Sequence, residues 1–173
     1  MKPVLLVGGM ALLLAQADEV HIKAAAAAYQ AGTAALHRHE FRSAISSFQK
    51  AIGIEPTFLD SRKSLVRAYL DSGQRLQAAT AITQLLEIEP DDIADRLVLG
   101  QILIQEKQPQ PALAQFSLVL QKEPFNADAL LGFAAAAKFI GMNDRAQDAL
   151  QLGRKHYPLD SRFQSSAGPD KHN

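Results

Sequence analysis

The stretch FRSAISSFQKAIGIEP, residues 41–56, decides the fold. Side chains three and four apart share one face of a helix, so Ala44, Phe48 and Ala51 line up together. Pro56 closes the run, because proline cannot continue a helix. The same arrangement returns every 34 residues: Pro56, Pro90, Pro124 and Pro158 each follow an alanine by twelve residues, Ala44, Ala78, Ala112 and Ala146. Four residues after each alanine stands a large apolar side chain, Phe48, Ile82, Phe116 or Leu150. With proline at roughly 5% of ordinary sequence, three further prolines in register arise by chance about once in ten thousand trials. The period is therefore the primary fact about this chain.

Working outward, each period holds two helical patterns. The units run 25–58, 59–92, 93–126 and 127–160. The first helices are expected at about Asp18–Leu36, Asp60–Asp71, Ile93–Glu106 and Ala127–Ile140, and the second at about Phe41–Gly53, Arg75–Glu87, Pro109–Gln121 and Asp144–Lys155. Gly73 and Gly141 fall where a helix ends in a left-handed residue, and His39 and Lys107 take the matching places. Pro109 and Pro111 suit a first helical turn. Ala24 to Ala28 reads as plain helix, since alanine is the strongest helix former. After Pro158, Leu159-Asp160-Ser161-Arg162-Phe163 echoes Leu59-Asp60-Ser61-Arg62; one capping turn with Phe163 tucked back is expected, then a disordered tail to residue 173.

A small residue in the first helix (Gly32, Gly100, Ala134), alanine early in the second, a large apolar side chain and a closing proline together resemble the tetratricopeptide repeat family. The resemblance covers nearly all of the chain after residue 17. It departs at Val66, which stands where a small residue is expected and should hold that hairpin slightly wider, and in lacking the family's frequent tryptophan. The fold it implies is all-α: a right-handed superhelix of four helix-turn-helix hairpins, an α-solenoid. Physics agrees, because a lone hairpin cannot bury its faces and at least three must stack.

Composition narrows the function classes. The 173 residues are 47% hydrophobic and 21% charged, with eighteen basic and eighteen acidic side chains, a balance that supports one globular core. Zero net charge and the lack of basic blocks speak against nucleic acid as a partner. The absence of cysteine excludes disulfides, thiol catalysis, thiolate metal sites and a lipid-modified N-terminal cysteine. Met1 and Lys2, the uncharged run Pro3 to Ala15, and Ala15-Gln16-Ala17 have the form of a secretory signal at residues 1–17. An uncleaved anchor is the alternative, yet a bilayer needs about 20 apolar residues. Periplasmic or secreted localisation follows, with no membrane span once the signal is removed.

Catalysis needs converging acid, base, nucleophile or metal ligands, and no such set is evident, so no enzyme activity, cofactor or metal is expected. His37-Arg38-His39 offers two imidazoles, but His39 fits the left-handed turn position better than a metal site. Asp60, Asp91 and Asp92 lie in connections and are expected to cap the following helices rather than bind a cation.

What remains is a surface. The resemblance implies a concave groove lined by first helices that receives a peptide. Spacing from Ala31, Leu65, Leu99 and Phe133, taken as buried, places Tyr29, Thr33, Leu36 and His37 there, with Lys63, Arg67 and Leu70 from the second unit. The third adds Leu97, Val98, Gln101 and Ile104, and the fourth Leu131, Ala135, Lys138 and Phe139. Such a set suits a peptide with an acidic or C-terminal carboxylate. The competing reading is that the leucines pack against neighbouring helices and that Lys63 and Arg67 are balanced by Asp60 and Asp71. The chaperone-type carboxylate clamp of the family is not matched, since Tyr29, Thr33 and Ser64 occupy its places. The expected function is an exported, non-enzymatic scaffold or adaptor in cell-envelope assembly; by resemblance alone, it is of the cytochrome-maturation or pilus-assembly type. The alternative is a structural subunit that self-associates through its ends.

Overall fold

The computed structural model describes residues 5–164, with side chains from Glu19 onward. The expected leader falls on residues of which at most the backbone is described, and the expected tail at 165–173 lies outside the described residues. Among these the chain is helical throughout, with no strand. Its elements are α1 (Leu5–His37), α2 (Phe41–Ile54), α3 (Leu59–Asp71), α4 (Arg75–Ile88), α5 (Ile93–Gln105), α6 (Pro109–Lys122), α7 (Ala127–Phe139), α8 (Asn143–His156) and α9 (Ser161–Gln164). The bounds of α2 to α8 fall within one residue of those expected. The exception is α1, which begins at Leu5 and not at Asp18; the leucine- and alanine-rich sequence between favours helix and contains no proline. No helix of the described residues is long and apolar enough to cross a membrane.

The chain divides into two compact units, Met1–Ala81 and Ile82–Asn173, with the division inside α4. In the first unit, α1 and α2 form a hairpin on which α3 packs, around Ala35, Ala44, Phe48, Leu65 and Ala68. A β-carbon on Gly32 would lie 2.6 Å from the Phe48 ring, so the glycine is what admits the ring. In the second unit, Ala112, Phe116, Val119, Ala129 and Ala136 form one core, and Leu130, Ala134, Ala137, Ala146, Ala149 and Phe163 another. Residue sizes at a sixteen-residue spacing follow a pattern in the sequence. Phe48 and Phe116 follow Gly32 and Gly100, whereas the smaller Ile82 and Leu150 follow Val66 and Ala134. Val66 and Ile82 are both buried.

Each hairpin turn repeats one backbone device. The N–H groups of Glu40, Gln74, Gln108 and Met142 donate to the carbonyls of Ala35, Tyr69, Leu103 and Ala137 at 2.8–2.9 Å, the longer-range bond of a Schellman cap. The residue before each donor must adopt a left-handed backbone: Gly73 and Gly141 do so freely, while His39 and Lys107 do so at φ 57°. Lys107→Gly is expected to raise stability by about 0.5–1 kcal/mol, because relief of the strained conformer exceeds the added chain entropy. Urea unfolding measures it, and a loss would contradict it.

The aspartates of the connections divide. Asp92 caps α5 as expected, accepting from the Asp95 N–H at 3.0 Å, and Asn126 caps α7 through the Ala129 N–H at 2.9 Å. Asp60 does not cap, because α3 begins one residue before it and its carboxylate sits in the first turn. Asp91 does not cap either; it takes a hydrogen bond from Lys122, which holds its carboxyl below the usual range. The echo at Leu159 is displaced as well. The 34-residue register lands α9 on Ser161, Asp160 occupies the capping place, and Leu159 is left 96% exposed.

A side-chain clamp also recurs. Arg62 and Arg96 donate to the carbonyls of Pro56 and Pro90 at 2.8 and 2.6 Å, and Gln164 to that of Pro158 at 3.1 Å. Beside it, Ser61 is fully buried and its Oγ has no hydrogen-bond partner. Since the matching place in α7 holds Ala129, Ser61→Ala is expected to stabilise by about 1 kcal/mol, the hydroxyl's desolvation no longer being uncompensated. A fall in the urea midpoint would refute this.

Arg162 closes the end of the second unit, bonding the Asp160 carboxylate at 2.7 Å and that of Asp128 at 2.6 Å. These bonds hold the Asp160 carboxyl below its usual range and raise the guanidinium above its own. A depressed carboxylate stabilises the fold above its unfolded value, and that contribution disappears as pH falls through the folded value. The melting-temperature gap between the native chain and Arg162→Leu should therefore be open near pH 7 and narrow as the pH falls below the usual carboxylate range.

Candidate functional site

In the first unit the end of α1, its turn and the outer half of α3 enclose a pocket of about 320 Å³. Five of the seven residues expected in this part of the groove line it: Tyr29, Thr33, Leu36, His37 and Arg67. They reach it because α1 and α3 present them at spacings of three and four residues. His39, Ser64 and Asp71 complete the lining, while Lys63 and Leu70 stand outside it. The sequence marks Ser64 and Asp71 only as an unmatched clamp place and a balancing charge. Asp71 follows Arg67 by four residues, the spacing that could have placed it in the site.

The pocket is set from below by aromatic packing. The Tyr29 ring lies 5.9 Å from that of Phe48 and 5.1 Å from that of Phe58, and the Thr33 hydroxyl donates to the Tyr29 carbonyl at 3.0 Å. His39 is held by its left-handed backbone and by the Phe41 ring, edge-on at 5.9 Å. Arg67 pairs with Asp71 at 3.6 Å, as the balanced-charge reading anticipated. Just outside, Arg38 donates two bonds to Glu40 at 2.8 and 3.0 Å, lowering the Glu40 carboxyl and raising the guanidinium. No group of three histidine, aspartate or glutamate side chains among the described residues could hold a metal ion.

In the second unit the expected groove residues separate. Leu97 and Ile104 pack against the core around Phe116, and Leu131 against that around Leu130 and Phe163. Val98 is half-buried, Gln101, Ala135 and Lys138 are exposed, and Phe139 is 65% exposed. A pocket of about 270 Å³ in this unit lies among α6, α7 and α8 and holds none of these residues. Two of the four reference positions also need correction. Phe133 is half-buried, and Ala31 is exposed because in α1 the covered stripe runs through Ala25, Ala28, Gly32 and Ala35.

Tandem helical hairpins with a first-helix pocket define a helical repeat protein, and comparison with known proteins gives the family. The tetratricopeptide repeat model matches residues 35–102 and 103–167, most of the chain, and the protein belongs to that family. Human tetratricopeptide repeat protein 6 is 28% identical over 123 residues, 69% of this chain and 24% of that protein, so the chain spans about a quarter of that relative's length. The crystal structure of MamA protein superposes with a TM-score of 0.73 at 17% identity, covering 82% of this chain and 77% of that one. YrrB, described as a TPR protein with an unusual peptide-binding site, gives 0.71 at 22% identity over 82% and 73%. A tetratricopeptide repeat protein from Parabacteroides merdae gives 0.68 at 19% over 82% and 55%. These likenesses establish a shared all-helical repeat fold.

Proposed function

We propose that this protein is a non-enzymatic interaction module that seats a peptide segment of a partner protein against the first helices of its repeats. The pocket joining Tyr29, Thr33, Leu36, His37 and Arg67 carries the reading, since it combines apolar walls with a few placed polar groups. The peptide-binding site named for YrrB supports it by kinship of fold. We assign the protein to the cell envelope as an assembly adaptor, on the form of residues 1–17. The burial of Phe163 against Gly153 favours this reading over association through repeat ends, because that face of the second unit is already covered by its own chain.

Crosslinking in intact cells followed by mass spectrometry tests the reading, comparing the native chain with a Leu36→Glu, Arg67→Glu double variant at two residues that line the pocket. Loss of specific partners in the variant is expected. An unchanged partner set would remove these residues from the site, and fractionation showing the protein in the cytoplasm would overturn the envelope assignment.

A further inference from the structure

We propose that the pocket at the end of α1 captures a carboxylate of the partner peptide, and that protonation of His37 and His39 turns capture on as the medium becomes acidic. This deepens the peptide-binding reading and rests on it. The charges that face the imidazoles come from every element around the pocket. From α3 come Arg67 and Asp71, paired at 3.6 Å and so formally cancelling. From α1 comes Tyr29, a phenol, and α2 adds no titratable group to the lining. In the turn, Arg38 and Glu40 satisfy each other at 2.8 and 3.0 Å. With neutral imidazoles the pocket therefore carries no formal charge, and with both protonated it carries two positive charges.

Imidazole is the side chain whose ordinary titration, near pH 6.5, makes that change within the physiological range. Asp71 does not quench it. The Arg67 and Asp71 side chains are 75% and 44% exposed, and an ion pair of this openness contributes little. If a protonated imidazole draws Asp71 away, Arg67 is released to the ligand; if it does not, the imidazoles receive the ligand themselves. The excess positive charge is the same in both cases, and Ser64 adds a hydroxyl donor in the lining. The left-handed backbone at His39, which a glycine would adopt without strain, keeps the second imidazole at this rim.

The test uses the full chain. The first probe is glutarate, followed through the histidine C2–H signals by NMR. Saturating glutarate should move the His37 and His39 titrations to higher pH, and it should bind at least about fivefold tighter at pH 5.5 than at pH 7.5, as a one-unit upward shift of a single imidazole from its ordinary value gives. His37→Gln with His39→Gln should abolish the pH difference while circular dichroism shows the helices intact. Unmoved titrations, or a pH difference that survives in the double variant, would overturn the proposal. The second probe is a labelled decapeptide rich in leucine and aspartate, set against its asparagine counterpart. Preference for the acidic peptide at pH 5.5 supports the proposal. Equal binding of both peptides at both pH values overturns it and leaves the peptide-binding reading standing, whereas pH-dependent glutarate binding with no peptide bound overturns the peptide partner itself.

Discussion

Phe116→Ala is expected to lower the stability of the fold by about 3–5 kcal/mol, the range for deleting a buried aromatic ring. Phe116 is fully buried among Ala112, Val119, Ala129 and Ala136. Its ring is held between two backbones, since a β-carbon on Gly100 would come within 2.6 Å of it and one on Gly132 within 2.3 Å. The glycines and alanines beside the ring have no side chains that could swing into the vacated space, while Leu97 and Ile104, packed against the same core, could fill only part of it, so the cost stays within that range. Urea unfolding at constant m-value is the measurement. A loss below about 1.5 kcal/mol would show that α5, α6 and α7 close around the void and that their backbones are not fixed by close packing.

The second large effect is a coupling. Phe163 is fully buried, and its ring occupies the space where Gly153 has no side chain; a β-carbon on Gly153 would lie 2.0 Å from Phe163 Cε1. One repeat earlier the same two places hold Val119 and Ala129, the large and small partners exchanged. Phe163→Ala is expected to cost about 3–5 kcal/mol by cavity formation, and Gly153→Val about 1–3 kcal/mol by overpacking. The double variant rebuilds the Val119 and Ala129 pair and should be more stable than the sum of the single effects by at least about 1 kcal/mol. Strict additivity would mean that the two side chains do not share the space, and that α9 does not cap the second unit.

The period of 34 was legible because each of its elements is a local signal. Proline stops a helix, glycine or a strained substitute ends it, and apolar residues at three- and four-residue spacing mark its buried face. For this reason the bounds of α2 to α8 could be read from residue types, and the left-handed turns at His39 and Lys107 from their 34-residue register with Gly73 and Gly141. The candidate site was less legible. Leu97, Ile104 and Leu131 share the apolar character of a binding groove and of a core, and spacing does not distinguish the two. Ala31 was misplaced for a related reason: α1 is alanine-rich on several faces, so its pattern leaves open which alanines are covered.

By itself, the sequence determined that this chain is a series of helical hairpins of the tetratricopeptide kind, where they start and stop, and which side chains face inward within most of them. Those properties depend on backbone preferences and periodicity over a dozen residues. Only the tertiary structure decided that His39, Ser64 and Asp71 join Tyr29, Thr33, Leu36, His37 and Arg67 in one pocket, that Asp91 reaches Lys122 instead of capping a helix, and that Phe163 fills the space of Gly153. Each of these joins different helices, and such meetings depend on how helices pack rather than on the pattern within any one of them.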